Sequence, residues 1–227
     1  MLIEHEDIRI RDAEDDDAAQ LCLWWNDGTV MAHAGFPLGL GTTRENILQK
    51  LHSGDGNHRH MILYAGTAIG EMNYREVDVG VCEIGIKICD ASMQNRGLGR
   101  KILRMFIGAL FDAGYEKIVL DTNLENTRAQ HVYESLGFRC VRIRRNAWNN
   151  QLGVPQSSVD YELKKGELMT LMVREDQIAS LELLVNAGWL KTTAQKEKLM
   201  QCAGEHEKTE ILAWLMDYHA KTTDPVK

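Results

Sequence analysis

Alternating apolar and polar positions dominate the chain as far as residue 163 and predict a series of strands. These strands are expected at residues 8–11, 60–65, 68–74, 81–88, 117–122, 139–145 and 158–163. Helical spacing of apolar residues predicts helices through residues 21–25, 44–51, 101–113 and 126–136. Because most strands follow one another closely and one βα crossover separates them, the pattern predicts a mixed α/β fold. Its central sheet should be mostly antiparallel and flanked by helices.

The pattern changes at Lys164-Lys165-Gly166, after which strand signals end and helix formers dominate. Residues 179–188 and 210–218 align at an offset of about 31 residues, close to the ankyrin period. Both segments resemble the second helix of an ankyrin-type pair, although the Thr-Pro-Leu-His turn is absent. We therefore predict two domains, an α/β domain over residues 1–165 and a small all-α, ankyrin-like extension over residues 166–227. The extension is expected to dock on the sheet or on a second subunit, as in a homodimer.

Composition and charge narrow the class of function. A net charge of −7 argues against nonspecific nucleic-acid binding and suits a cationic substrate. No apolar run reaches the ~18 residues of a membrane helix, and the acidic N-terminus does not resemble a signal peptide. We therefore expect a soluble, cytoplasmic protein without membrane contact.

Scattered cysteines and histidines argue against a metal site. No Cys-x-x-Cys pair occurs, and Cys82 and Cys89 lie on or beside a predicted strand, which indicates buried thiols. His58-Arg59-His60 is more typical of a solvated loop before a strand than of a metal cluster. We predict that the protein binds no metal.

A short glycine-containing loop separates the strand at residues 81–88 from the helix that follows. Its sequence is Gln94-Asn95-Arg96-Gly97-Leu98-Gly99-Arg100. The first turn of a helix has N–H groups without intrahelical partners, and the helix dipole adds partial positive charge there. Gly97 and Gly99 let an anion approach the backbone, while Arg96 and Arg100 add full charge. The loop is too short for a Walker A motif and lacks Gly-x-Gly-x-x-Gly, so it predicts another kind of diphosphate cradle.

A second segment, residues 126–138, places two polar side chains on one helix face. Asn126 and Tyr133 are separated by two helical turns, and Gly137 stands where a left-handed cap ends the helix. Asn126 also occupies an N-cap position. Capping and ligand contact therefore both remain open for Asn126, as packing and function do for Tyr133.

The two segments together resemble the signatures of the GCN5-related N-acetyltransferase (GNAT) superfamily. The matching patterns are Gln94-x-x-Gly97-x-Gly99 and Asn126-x-x-Ala129-x-x-x-Tyr133-x-x-x-Gly137-Phe138. The resemblance covers about residues 8–163. Trp24-Trp25-Asn26 and Ile69-Gly70-Glu71-Met72 resemble the branch that acetylates protein N-termini, aminoglycosides and similar amines.

This resemblance implies an enzyme that moves an acetyl group from acetyl-CoA to a primary amine by direct attack. The amine would belong to a small cationic molecule or to a peptide N-terminus. The alternative is a non-catalytic acyl-CoA sensor that uses the helical extension as its partner surface. The resemblance further implies that the backbone at Ile86 and Ile88, on a strand that splays from its neighbour, holds the pantetheine arm. Residues 94–100 would bind the pyrophosphate, and Asn126 would contact the cofactor.

Acetyl transfer also needs acid–base groups, because the amine must lose a proton and the leaving thiolate benefits from gaining one. The resemblance assigns the thiolate's proton to Tyr133. Glu83 and Glu71, on neighbouring predicted strands, are the candidate bases. Alternation places Glu83 and Lys87 on one face, so an ion pair between them is the other explanation for Glu83. No covalent intermediate on a cysteine is expected. The irregular segment 27–43 and Trp148 are predicted to shape acceptor specificity.

Overall fold

The computed structural model describes residues 1–186 and 188–223, without the side chain of Thr223. Its strands are β1 (Leu2–His5), β2 (Ile8–Asp12), β3 (Asn57–Tyr64), β4 (Thr67–Asp78), β5 (Val81–Ile88), β6 (Lys117–Asn123), β7 (Arg139–Asn149) and β8 (Pro155–Lys164). They form one sheet in the order β1-β2-β3-β4-β5-β6-β8-β7. The pairs from β1–β2 to β4–β5, and β7–β8, are antiparallel, whereas β5 and β6 run parallel. The predicted mixed α/β class is confirmed.

The helices fall into two groups. Those among the strands are α1 (Ala18–Asn26), α2 (Gly28–Met31), α3 (Arg44–Leu51), α4 (Leu98–Asp112) and α5 (Thr127–Ser135). Those after the sheet are α6 (Lys165–Arg174), α7 (Ile178–Asn186), α8 (Thr193–Glu205) and α9 (Thr209–Thr223). The chain divides into two compact units, Met1–Leu163 and Lys164–Lys227. Within the described ranges, no helix is long and apolar enough to cross a membrane.

Helix α4 shows how the sheet positions the glycine loop. Its apolar residues recur at helical spacing and are buried, namely Ile102, Leu103, Phe106, Ile107, Leu110 and Phe111. The Phe106 ring meets His60 of β3 edge-on at 5.3 Å and Tyr74 of β4 at 6.1 Å between ring centroids. These contacts hold α4 against the sheet, so its first turn has a defined place beside the end of β5.

Several local predictions need correction. Strand β1 was not predicted, because a four-residue edge strand carries little periodicity. The tripeptide His58-Arg59-His60 is not a loop, because β3 begins at Asn57 and pairs with β4 as far as Arg75. His60 is fully buried. The segment 27–43 is also more regular than predicted, since it contains α2 and a short 3-10 turn at Ala32–Ala34.

The second unit is helical, as the change of pattern predicts. Helix α6 packs against α7 and α8, and α8 packs against α9. The Thr192 side chain caps α8 by accepting a hydrogen bond from the Gln195 N–H at 3.2 Å. The likeness of this second unit to ankyrin-type helix pairs stays a prediction. Ala187 and residues 224–227 of the predicted extension lie outside the described residues.

Candidate active site

A cleft opens where the parallel strands β5 and β6 part. Their register joins Val81–Glu83 with Lys117–Val119. Further along, residues 84–88 of β5 and 121–123 of β6 line a cavity of about 740 Å³. Backbone groups of β5 beyond this ladder can therefore bind an extended ligand, which fits the expected splay at Ile86 and Ile88.

The glycine loop closes one end of this cavity. Gly97 is the N-cap of α4 and has φ of +76°, a left-handed conformation that favours glycine. A Cβ on Gly99 would meet no atom within 4 Å, so open space lies beside the first turn of α4. The unpaired N–H groups of that turn and this space fit the diphosphate of acetyl-CoA. The predicted loop residues that line the cavity are Gln94, Asn95, Gly97, Gly99 and Arg100, whereas Arg96 and Leu98 lie outside the lining.

Gln94 fixes the loop in place. Its Nε2 donates to the carbonyl oxygen of Ile88, the last residue of β5, at 2.8 Å. Its Oε1 accepts from Nη1 of Arg128, on α5, also at 2.8 Å. Arg128 lines the cavity and was not predicted from the sequence. Gln94 thus joins the strand end, the loop and α5, and it brings a cation next to the proposed phosphate site.

Asn126 serves as the predicted cap of α5. Its Oδ1 accepts from the N–H of Ala129 at 3.3 Å, and its Nδ2 donates to Oγ1 of Thr122 at 3.3 Å. The capping role is therefore confirmed. Asn126 also lines the cavity, and its contact with a cofactor stays a prediction.

Tyr133 lies on α5 with its ring buried and its side chain on the cavity wall. The ring packs against Phe138 and Tyr161, with centroids 5.9 Å away in both cases. Burial, with a smaller contribution from the nearby Asp121 charge, raises the pKa of Tyr133 to about 12. The phenol therefore keeps its proton at neutral pH, as a proton donor must.

Both candidate glutamates form ion pairs, and the partner of Glu83 differs from the one considered in the sequence analysis. Glu83 pairs with Arg75, whose Nη2 lies 2.5 Å from the carboxylate, so the predicted pair with Lys87 is wrong. Lys87 instead binds Glu71, with Nζ and Oε1 3.1 Å apart. The antiparallel register of β4 and β5 causes both pairings, because it sets Arg75 opposite Glu83 and Glu71 opposite Lys87. Among the described residues that line the cavity, neither glutamate occurs.

Glu71 is buried and forms ion pairs with Arg59 and Lys87. Its side chain is 2% exposed, and Nη1 of Arg59 lies 2.6 Å from its Oε2. Although burial acts to raise the pKa of Glu71, the adjacent Lys87 and Arg59 charges outweigh it and lower that pKa. A carboxylate that holds two cations takes up protons poorly, so this geometry favours a structural role.

Asp121 is a cavity residue that was not predicted from the sequence. It lies on β6, and its half-exposed carboxylate is 3.1 Å from Nη2 of Arg144. Partial burial in the cleft raises the pKa of Asp121, the Glu83 charge raises it further, and Arg144 opposes both. One signal could have identified it, because ligand sites form at the carboxyl ends of parallel strands. Asp121 follows the parallel segment of β6.

The segment 27–43 and the β7–β8 hairpin form another wall. The ring of Trp148 lies against the backbone of Gly35, where an added Cβ would come within 2.3 Å of it. Gln151 fastens the hairpin to the segment, because its Nε2 donates to the Gly39 carbonyl oxygen at 2.9 Å. The residues of this wall that line the cavity are Thr29, Val30, His33, Ala34 and Trp148.

The five cysteines, all within the described residues, form no disulfide, and two of them are strongly shielded from solvent. Cys82 and Cys89 are buried, as predicted, and burial raises the pKa of each thiol to about 12. Such thiols are poor nucleophiles at neutral pH, which agrees with the expectation of no cysteine-bound intermediate. Among residues 1–186 and 188–223, no group of three or more His, Cys, Asp or Glu side chains is arranged to hold a metal ion.

Comparison with known proteins identifies the family. The family described as "Acetyltransferase (GNAT) domain" matches residues 7–139. A [ribosomal protein bS18]-alanine N-acetyltransferase from Salmonella typhimurium is 39% identical over 64 residues, which are 28% of this chain and 43% of that relative. The matched segment thus spans less than half of the relative's length.

Solved structures share the fold over about three quarters of the chain. A spermidine N-acetyltransferase from Vibrio cholerae, in complex with CoA and spermine, has a TM-score of 0.64 at 18% identity and covers 73% of this chain and 99% of its own. RimL, a ribosomal L7/L12 alpha-N-protein acetyltransferase in complex with coenzyme A, has a TM-score of 0.63 at 15% identity and covers 72% and 98%. The chain therefore belongs to the GNAT family of acetyltransferases, whose two signatures it carries.

Proposed function

We propose that this protein transfers the acetyl group of acetyl-CoA to a primary amine by direct attack. One observation carries the proposal. A single cavity is lined by residues of the glycine loop at the start of α4, by Tyr133 and by Asp121. These three features are a diphosphate cradle, a proton donor and a proton acceptor, which together meet the needs of acetyl transfer.

The donor is proposed to lie along β5. Acetyl-CoA supplies an acyl group already activated as a thioester, so the protein contributes positioning and electrostatics. The first turn of α4 and the adjacent Arg128 would hold the diphosphate, and backbone groups at Ile86 and Ile88 would hold the pantetheine arm. This arrangement would direct the thioester toward Tyr133 and Asp121, beyond the point where β5 and β6 separate.

Asp121 is our candidate for the base. An attacking amine must be neutral, yet a lysine-like ammonium has a pKa of ~10.4 and an α-ammonium one of ~7.7–8. The raised pKa of Asp121 makes this carboxylate a stronger proton acceptor than an ordinary aspartate. Glu83 would act on Asp121 through its charge, and Arg144 would keep the carboxylate oriented. Glu71 would stabilise the sheet through its ion pairs rather than take the proton of the amine.

Tyr133 is our candidate for the acid. When the carbon–sulfur bond breaks, the departing thiolate of coenzyme A would take the phenolic proton. Among the described residues, no group hydrogen-bonds the Tyr133 hydroxyl, which leaves it available to the leaving group. A protonated tyrosine on the cavity wall also favours an enzyme over a non-catalytic sensor.

The acceptor is proposed to be a cationic primary amine. The similar proteins are named for spermidine, for the ribosomal protein L7/L12 N-terminus and for alanine of ribosomal protein bS18. An overall charge of −7 and the carboxylate of Asp121 suit both polyamines and peptide N-termini. These acceptors and the acetyl-CoA donor favour a cytoplasmic place of action.

The test is release of coenzyme A by the full-length protein with spermidine, an aminoglycoside or a short peptide with a free N-terminus. We expect release with at least one amine and a loss of about 10²- to 10⁴-fold in turnover for Asp121→Asn. Glu83→Gln is the matched control, since it removes a nearby carboxylate outside the cavity and should have a smaller effect. Acetyl-CoA binding without release for every amine would favour the sensor.

A further inference from the structure

We propose that the hydroxyl of Ser158 binds the acceptor amine and orients its nitrogen for attack. This inference rests on the proposed acetyl transfer and adds a residue to it. Ser158 lies on β8 and lines the same cavity as Asp121 and Tyr133. The hydroxyl would accept an N–H hydrogen bond from the amine while the carboxylate of Asp121 takes a proton.

Ser158 is a buried polar group without a partner. The residue is 1% exposed, and within the described part of the chain its Oγ has no hydrogen-bond partner. Burial of a hydroxyl without a hydrogen bond costs free energy, and an alanine would fill the same place without that cost. Because Ser158 lines the cavity and its Oγ is left unpaired by the protein, a ligand there is suited to pair with this hydroxyl once the side chain turns toward the cavity.

Adjacent strands bring Ser158 to the face that carries Asp121. Nδ2 of Asn123 on β6 donates to Oε1 of Gln156 on β8 at 2.7 Å, so these two side chains share a face. Side chains alternate along a strand. Asp121, two residues before Asn123, and Ser158, two residues after Gln156, therefore lie on that same face.

An ion pair supports this assignment independently. Nη2 of Arg144 contacts Asp121 at 3.1 Å and Asp160 at 2.7 Å. Asp160 is two residues beyond Ser158 on β8, so the two side chains lie on the same face of the sheet. The contact that Arg144 makes with both Asp121 and Asp160 therefore places this face of β8 beside Asp121. The guanidinium occupies the Asp160 end of the face, and Ser158 is the neutral polar group between Asp160 and Gln156.

The chemistry needs two contacts on the amine nitrogen. A primary ammonium has three N–H bonds, of which one would give its proton to Asp121 and a second would bond to Oγ of Ser158. The lone pair left by this transfer lies along the former N–H bond to Asp121, so the neutral amine turns about its C–N bond to aim the lone pair at the thioester carbon, while another N–H stays bonded to Oγ of Ser158. The nitrogen–carbon bond then forms, the nitrogen releases a second proton to water, and the carbon–sulfur bond breaks as the thiolate takes the phenolic proton of Tyr133. Tyr133 regains a proton from water, and Ser158 neither gains nor loses one.

The test compares Ser158→Ala with wild-type full-length protein in steady-state kinetics. The acceptors are spermidine and a short peptide with a free N-terminus. We expect kcat/KM for the acceptor to fall roughly 10- to 100-fold, the value of one hydrogen bond to a charged group. The Kd of acetyl-CoA should stay the same. The Tm should stay the same or rise, because the variant removes an unpaired buried hydroxyl.

Ser157→Ala is the matched control. Oγ of Ser157 accepts from the N–H of Asn146 at 3.1 Å, so this serine has a structural partner. Its loss should lower the Tm and leave the acceptor kcat/KM nearly unchanged. If Ser158→Ala does not fold, Ser158→Cys keeps the size of the side chain and weakens the acceptor, and the same loss of kcat/KM is expected.

Two outcomes would overturn the role of Ser158. One is an unchanged acceptor kcat/KM in the folded variant, and the other is a lowered Tm, which would indicate packing. Calorimetric titration of spermidine separates this result from the broader proposal. A wild type that binds the amine but never releases coenzyme A contradicts acetyl transfer, and equal amine affinity in Ser158→Ala contradicts the Ser158 contact.

Discussion

Nε1 of Trp25 donates a 2.8 Å hydrogen bond to Oε1 of Glu71 inside the protein core. This bond joins helix α1 to strand β4. The guanidinium of Arg59 completes the cluster, because it binds the same carboxylate and lies 4.5 Å from the centre of the Trp25 ring. Lys87, the other cation on Glu71, lines the cavity. The cluster thus connects the packing of α1 with the wall of the cleft.

We predict that Glu71→Gln lowers the free energy of unfolding by about 3–5 kcal/mol, because it leaves Arg59 and Lys87 without their buried counter-charge. Trp25→Phe should cost less, since it removes one hydrogen bond and leaves both ion pairs. Urea unfolding of the two variants measures the difference. A Glu71→Gln protein with wild-type stability and strongly reduced turnover would instead return Glu71 to the role of base.

Replacement of Gly99 should weaken acetyl-CoA binding without unfolding the protein. The added side chain of Gly99→Val would enter open space beside the first turn of α4, where the diphosphate is proposed to bind. We expect the Kd, measured by calorimetry, to rise roughly 10- to 100-fold. Gly108→Val is the control, because Gly108 lies in the same helix, also has open space beside it, and is outside the cavity lining. Equal affinities in both folded variants would exclude this site.

The hydroxyl of Tyr133 should matter for turnover more than for binding. Tyr133→Phe keeps the ring packing and removes the proton donor, so turnover should fall about 10²- to 10⁴-fold with little change in acetyl-CoA affinity. Tyr161→Phe is the control, because the Tyr161 hydroxyl bonds Oε1 of Glu134 at 2.8 Å and its ring belongs to the same cluster. Steady-state kinetics beside a cofactor titration decides the matter. Normal turnover in Tyr133→Phe would remove this residue from the mechanism.

Burial of His60 should make the protein less stable in mild acid. Burial lowers the pKa of His60 from 6.5 to about 4, while the nearby Asp12 carboxylate partly opposes the shift. Between those two values the unfolded chain takes up a proton that the folded protein refuses. Stability is therefore highest above pH 6.5 and falls toward pH 4 by about 1.4 kcal/mol per pH unit, or about 3 kcal/mol in all.

The measurement is the free energy of unfolding against pH for wild type and His60→Phe. The phenylalanine should keep the aromatic contacts with Tyr74 and Phe106. The free energy of unfolding of this variant should fall less steeply between pH 6.5 and pH 4 than that of wild type. Other groups contribute to both curves, so the difference between the slopes is the informative quantity. Identical slopes would mean that folding does not change the pKa of His60.

Much of the site that we propose for the donor could be predicted from the sequence. The glycine loop, the cap Asn126 and the helix of Tyr133 depend on contacts within a few residues, such as helix dipoles, caps and the conformational freedom of Gly97. Local patterns of this kind can be recognised in the amino-acid sequence. The two signatures, with the alternation of the strands, were sufficient to predict the family and the mixed α/β class.

The acceptor side depended on tertiary structure. Arg75 faces Glu83, and Glu71 faces Lys87, because the register of β4 and β5 sets them opposite each other, and apolar alternation does not specify that register. Asp121 and Ser158 share a face only because β8 lies between β6 and β7 in the sheet and therefore pairs with β6 as well as with β7. The sequence by itself therefore determined the local elements and the loop that we propose for the donor. Only long-range strand pairing decided which charged and polar side chains meet where the amine is proposed to bind.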